Sequence, residues 1–269
     1  MKDLGVSTSK QSGFTLLELS IVLVIIGLIV GAVMAGQHLI RAAELRSIGS
    51  DKEKLVTAVY SFQTKYNAIP GDMSDAQAIW GTAASCAADQ TTEATCNGDG
   101  DGEIEKNNPS GTRGNEGFLL WKHLANAGMI EGSYTGLHAN TNLSCARSNN
   151  APSGKIVGSL WYLEDLGGIS SASWAWSNTF YGNMLELGMP QPNDDPWGNV
   201  LTAAEAYALD SKIDDGKPGT GILFGDRSLT ECVVRADGVT AAGGGHKTTA
   251  IYKTSSSGLQ CYLVFVDVF

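Results

Sequence analysis

The chain has 269 residues and a formal charge of −10, from 28 acidic and 18 basic side chains. An acidic surface of this kind repels nucleic acid and anionic lipid, so no nucleic acid partner is expected. Once one long helix is set aside, about 200 residues remain, enough to bury the core of a single head domain.

The first predicted element is an apolar helix. A short polar leader with Lys2, Asp3 and Lys10 ends at Gly13, Phe14-Thr15-Leu16-Leu17-Glu18 follows, and no formal charge then occurs from Leu19 to Ile40. That run is long enough for a hydrocarbon core of about 30 Å, which takes about 20 apolar residues. A helix also satisfies its own backbone where lipid offers no water. A carboxylate inside such a run costs about 2.5–3.5 kcal/mol on insertion scales, so Glu18 needs a partner. A buried ammonium is one that makes both charges tolerable. The lysines lie on the short side of the run, which places the N-terminus in the cytoplasm and the remainder across the membrane.

Gly13-Phe14-Thr15-Leu16-Leu17-Glu18, set between a polar leader and a long apolar helix, resembles the cleavage and methylation motif of type IV prepilins and of type II secretion pseudopilins. The resemblance implies that a prepilin peptidase cuts between Gly13 and Phe14, removes the leader 1–13 and methylates the new amine of Phe14. It implies that Glu18 meets the N-terminal amine of a neighbouring subunit as helices stack into a filament. Other copies or related pilin subunits, an inner-membrane assembly platform, its ATPase and an outer-membrane pore are the partners it implies. The chain would wait in the inner membrane and then enter a periplasmic or cell-surface filament. The alternative is an ordinary secretory signal cleaved after Val33-Met34-Ala35. Against it stand the carboxylate within the apolar run and a leader charge partly offset by Asp3.

Past Ile40 the helix is expected to continue. Leu45, Ile48, Leu55, Val59, Phe62 and Tyr66 recur at three- and four-residue steps, with Lys52 the one polar member of the stripe. Arg41, Glu44, Arg46, Asp51 and Glu53 fall on the water face. No proline interrupts Phe14 to Ile69, so one helix of about 50 residues is predicted. Its 14–40 half is apolar and its 41–69 half amphipathic, and Ile69-Pro70-Gly71-Asp72 ends it. Pilin-like proteins have such a spine, and the resemblance implies an α+β fold, the helix packed on an extracytoplasmic head (70–269) with an antiparallel sheet. Gly27 and Gly31 form a small-xxx-small face suited to close helix packing. Many type IV pilins carry a proline near the position of Ala35; its absence leaves pilus against pseudopilus open.

In the head, Ser74-Asp75-Ala76-Gln77 reads as a capping box that starts a short helix through Trp80. The stretch from Tyr66 to Met73 is similar to the segment after the spine in a group of proteobacterial pilin-like proteins. Asn97-Gly98-Asp99-Gly100-Asp101-Gly102-Glu103-Ile104-Glu105 has the alternation of a calcium loop. Asn97, Asp99 and Asp101 would point at one centre, Glu103 would give its carbonyl and Glu105 a side chain or a water. Asn108 stands where an EF-hand has its bidentate glutamate, which suits millimolar calcium better than a cytosolic sensor. The alternative is a solvated acidic turn. Of the five cysteines, Cys86 with Cys96 would close a short loop. Cys232 with Cys261 would clasp the C-terminal segment, as the disulfide-bounded loops of many pilins do. Cys145 is left over or pairs between chains, and sequence does not fix the pairing.

A helix capped by Asn115 is predicted to bury Phe118, Trp121, Leu124 and Ala125 and to close at Gly128, with Lys122 and His123 on its surface. Trp174-Ala175-Trp176 has strand spacing, and these tryptophans read as core or as an exposed aromatic patch. Thr202-Ala203-Ala204-Glu205 is a second capping box, for a helix with Ala206, Leu209 and Ile213 inward. Asp210, Asp214 and Asp215 read as a solvated helix end or a second cation site. Ile222 to Phe224, Cys232 to Arg235 and Leu259 to Phe269 read as strands. Gly243 to Thr248 lacks the spacing of a phosphate loop, and the four histidines, His38, His123, His138 and His246, have no metal-ligand spacing. The chain is therefore expected not to be an enzyme. The large head suits a minor or tip filament subunit as well as a main one; the runner-up is a membrane-tethered adhesin or ligand-binding module that recognises glycan or protein.

Overall fold

The computed structural model describes residues 13–84, 86, 92–104, 116–136, 150–165, 182–191, 194–225, 232–235 and 249–269. The chain forms two compact units, Met1–Ala43 and Glu44–Phe269. Helix α1 runs from Leu16 to Tyr66. In the first unit its apolar residues are exposed, Leu16, Leu17 and Leu28 by 70% or more, and the stretch is long and apolar enough to cross a membrane. Side chains of this composition are stable in that state only in lipid or against other apolar helices.

In the second unit α1 behaves differently because its sequence is amphipathic. Ile48, Val56, Ala58, Val59 and Phe62 are buried, while Leu45, Leu55 and Tyr66 pack half-buried against the same core. Lys52, the polar residue in the predicted stripe, is accommodated by reach. Its ammonium lies 5.9 Å from the centroid of the Phe265 ring and 3.0 Å from Glu53 Oε1, so an apolar stem covers the core and the charge reaches water. The helix ends three residues before the predicted turn, because Asn67 adopts a left-handed conformation (φ 53°) that an asparagine tolerates.

The head is an α+β arrangement around an antiparallel sheet. Strand β1 (Leu160–Asp165) pairs with β2 (Asn183–Gln191), β2 with β7 (Leu263–Phe265), and β7 with β4 (Leu223–Phe224). Strand β3 (Asp194–Gly198) adds to the end of β2 with a register shift between Met189 and Gln191. A separate antiparallel pair joins β5 (Val233–Arg235) to β6 (Ala250–Tyr252). The registers place Trp161, Leu163, Leu185, Leu187, Leu263, Phe265 and Leu223 on one face. That face meets α1 through Phe265 and Lys52.

On the opposite face Tyr162 meets Phe118 of α3 (Glu116–Asn126), with ring centroids 5.2 Å apart. The close approach needs Gly117, where a Cβ would fall 2.6 Å from the Leu163 carbonyl oxygen. Helix α3 buries Phe118, Trp121 and Leu124 as expected, leaves Ala125 half-buried, and is closed by Gly128 (φ 70°). Lys122 and His123 correct the sequence reading: both are buried, at 2% and 0% exposure. The cause is a second cover, since the 92–96 segment lies on the side of α3 that the helical pattern marked as surface. Lys122 Nζ donates to the Thr92 carbonyl (2.7 Å) and to that of Tyr134 (3.3 Å). Trp161 is core; Trp174 and Trp176 lie outside the described residues.

Both proposed disulfides are present. Cys86 and Cys96 are bonded with Cα atoms 5.8 Å apart, and Cys232 and Cys261 with Cα atoms 4.9 Å apart. Cys145 lies outside the described residues, as do Asn115, His138 and His246.

Candidate functional site

At the N-terminus Gly13 and Phe14 precede α1 and both are exposed, Phe14 by 87%. An exposed, non-helical peptide bond is the kind a protease can bind. Thr15 then starts the helix. Glu18 Oε2 accepts from the Thr15 backbone N–H (2.8 Å) and from its hydroxyl (2.9 Å), and the Glu18 N–H donates to Thr15 Oγ1 (3.2 Å). This reciprocal pair is a capping box, with a carboxylate in the first turn where the helix dipole favours negative charge. The signal was legible as Thr-x-x-Glu, and sequence reasoning passed over it. Glu18 therefore has one role within its own chain, as the partner of Thr15 in the first turn.

In the head, the predicted calcium loop is organised around a residue that lies outside it. Asp72, 4% exposed, accepts at Oδ1 from the Gly100 N–H (2.5 Å) and at Oδ2 from the Gly102 N–H (3.0 Å). Within the loop, Asp99 Oδ1 accepts from the Asp101 N–H (3.3 Å) and Asp101 Oδ1 from the Glu103 N–H (2.9 Å). Buried Glu116 accepts from the Asp99 N–H (3.1 Å). Gly98 permits the approach, since a Cβ there would fall 2.3 Å from the Asp72 backbone. One carboxylate oxygen from each of Asp72, Asp99 and Asp101 lies within 4.8 Å of the others.

Of the other predicted ligands, Asn97 is engaged elsewhere. Asn97 turns its amide oxygen to the Gln77 N–H (2.8 Å), and so caps α2 (Ala76–Trp80) in place of the predicted Ser74 box, whose geometry is lost because Asp75 is the N-cap. Glu103 is exposed, and Glu105 and Asn108 lie outside the described residues. Burial pushes the Asp72 carboxyl above the usual carboxylate range. The two amides it accepts from pull it back, and the charges of Asp101 and Asp99 push it further up. No local pattern marks Asp72, because it sits in the turn after the spine and reaches the loop only through the fold.

The second acidic group also departs from its reading as a solvated end. Thr202 and Glu205 form the predicted capping box of α4 (Ala203–Ile213), but Asp210 is fully buried. Its carboxylate accepts from the Tyr252 hydroxyl (2.7 Å) and the Gly216 N–H (3.0 Å). Burial raises it to about 6, against the lowering effect of those two bonds, and Asp214 and Asp215 add to the rise. Asp214 accepts from the Leu223 N–H (3.1 Å) and from that of Ile222, and Asp215 from the Lys217 N–H (2.8 Å). These bonds hold the 214–223 turn, and one carboxylate oxygen from each of the three acids lies within 4.8 Å of the others.

The model of the prokaryotic N-terminal methylation motif matches residues 8–34, the stretch that holds Gly13, Phe14 and Glu18. No curated protein and no solved structure matches the chain. The matched residues lead into a long apolar helix that continues into an α+β head with an antiparallel sheet, and the chain carries at its N-terminus the signature of the type IV pilins and pseudopilins.

Proposed function

We propose that the chain is a structural subunit of a type IV pilus or pseudopilus filament, in a minor or tip position. The match at residues 8–34 carries the subunit reading; the position in the filament rests on the large head, which suits a minor or tip subunit as well as a main one. Two features support the subunit reading: the apolar half of α1 is exposed among the described residues, and Glu18 is its one carboxylate. A motif of this kind implies cleavage by a prepilin peptidase and assembly with other pilin subunits. We extend it to an inner-membrane platform and its ATPase as the machinery that lifts the processed helix out of the inner membrane. In this reading the N-terminus is cytoplasmic, the disulfide-bonded head lies outside the cytoplasm, where such bonds persist, and the protein does no catalysis.

The test is the content of filaments sheared from cells. Antibody to the head is expected to find the chain in that fraction and to decorate filament ends or sparse positions. Dense decoration along the shaft would assign a major subunit, and absence from the fraction would sink the reading.

The loop around Asp72 is proposed to take structural calcium, with Asp72, Asp99 and Asp101 converging and Asn97 serving the helix. Three acids gathered on a loop of backbone amides repel one another, and a divalent ion would offset that repulsion.

A further inference from the structure

Three separate stretches of the head meet at His123. From the turn after α1, the Gly71 N–H donates to Nδ1 (3.0 Å). That bond leaves the ring proton on Nε2, which lies 3.1 Å from Thr95 Oγ1 and 3.2 Å from the Cys96 carbonyl. The ring is fully buried and stacks with Phe62 of α1 at 6.3 Å and with Trp80 of α2 at 5.5 Å. On its own helix the neighbouring charge is the ammonium of Lys122. From α1 and α2 it faces uncharged rings, and from the 95–96 segment a hydroxyl and the carbonyl of a disulfide-bonded cysteine. None of these contacts is a carboxylate that would welcome a second proton.

We propose that His123 is an acid latch: a proton on Nδ1 would face the Gly71 N–H directly, so charging the ring makes α3 release the Gly71 turn and the 95–98 segment. The two stretches open together, because the Gly98 N–H also donates to the Met73 carbonyl (3.0 Å). The disulfide to Cys86 tethers the released segment, and the sheet, to which none of the ring contacts described above runs, stays closed. The inference does not depend on the filament reading.

Burial holds the imidazole at about 4, below its ordinary 6.5; the Cys96 carbonyl partly offsets this and Lys122 reinforces it. Between those values the open form binds more protons than the closed one. The latch is therefore fully stable above pH 6.5 and weakens as the pH falls toward 4. Asp210 works with the opposite sign: its raised carboxyl favours the folded form as the pH falls through 6, so acid opening does not come from it.

The experiment is amide hydrogen exchange on the full-length chain in detergent micelles at pH 7 and pH 5, corrected for the intrinsic effect of pH. Peptides covering 69–74 and 94–99 are expected to exchange about 20-fold faster at pH 5, with no change across β2 and β7. His123→Gln keeps an acceptor for Gly71 and a donor for Cys96 without a titration, so its exchange should be flat with pH. Exchange at the histidine C2 position reads the ring directly in the wild-type chain and should place its midpoint below pH 5. Equal protection at both pH values, a ring midpoint near 6.5, or a pH dependence that survives in His123→Gln would each overturn the proposal.

Discussion

Glu18→Ala is expected to remove the chain from sheared filaments by about 100-fold or more while leaving cleavage at Gly13 intact. The magnitude follows from an ammonium stranded in an apolar surrounding, which costs about 3–5 kcal/mol once its carboxylate is lost. Alanine also breaks the capping box with Thr15, at about 1 kcal/mol. Alone, it confounds the two roles of Glu18. Glu18→Gln separates them, because glutamine serves in a capping box but carries no charge. If a neighbouring amine is the partner, the glutamine variant assembles as poorly as the alanine one. Near-normal incorporation of Glu18→Gln, measured by immunoblot of the sheared fraction against total processed protein, would assign the residue to helix capping alone.

Asp72→Ala is expected to destabilise the head by about 2–4 kcal/mol. The substitution leaves the Gly100 and Gly102 N–H groups without their acceptor, and each such loss costs about 1–3 kcal/mol. Thermal unfolding of the full chain in detergent reads this as a lowered midpoint. The same assay tests calcium. At 10 mM calcium and an affinity near 1 mM, the folded state should gain about 1.4 kcal/mol, and a chelator should remove it. The double variant Asp99→Asn, Asp101→Asn keeps the acceptor oxygens for the two internal turns and deletes two charges. It should be no less stable without calcium and should not respond to it. An unchanged wild-type midpoint across the calcium range would leave the loop as an acidic turn held by its own amides.

What the sequence made legible was what chain-local physics determines. The charge-free run after Glu18, the spine through Tyr66, the Thr202 capping box and the closure of α3 at Gly128 follow from composition, periodicity and capping within a few residues. What it hid depends on distant partners. Asp72 joins the loop across 27 positions to Asp99, and the spacing that marks Asn97 as a ligand does not reveal that its oxygen accepts from the Gln77 N–H of α2. His123 and Lys122 read as surface because the helical pattern marks one buried face, and nothing local shows a second segment lying on the other. Asp210 misled for the same reason, its cover being Tyr252, which lies on β6, 42 residues away.

The start of the mature polypeptide bears most directly on the whole account. Mass spectrometry of the chain purified from membranes or filaments should find an N-methylated Phe14 as its first residue, the leader through Gly13 gone and Thr15 to Glu18 intact. A first residue near Gly36, with the apolar run removed, would make the chain an exported head with no means of entering a filament.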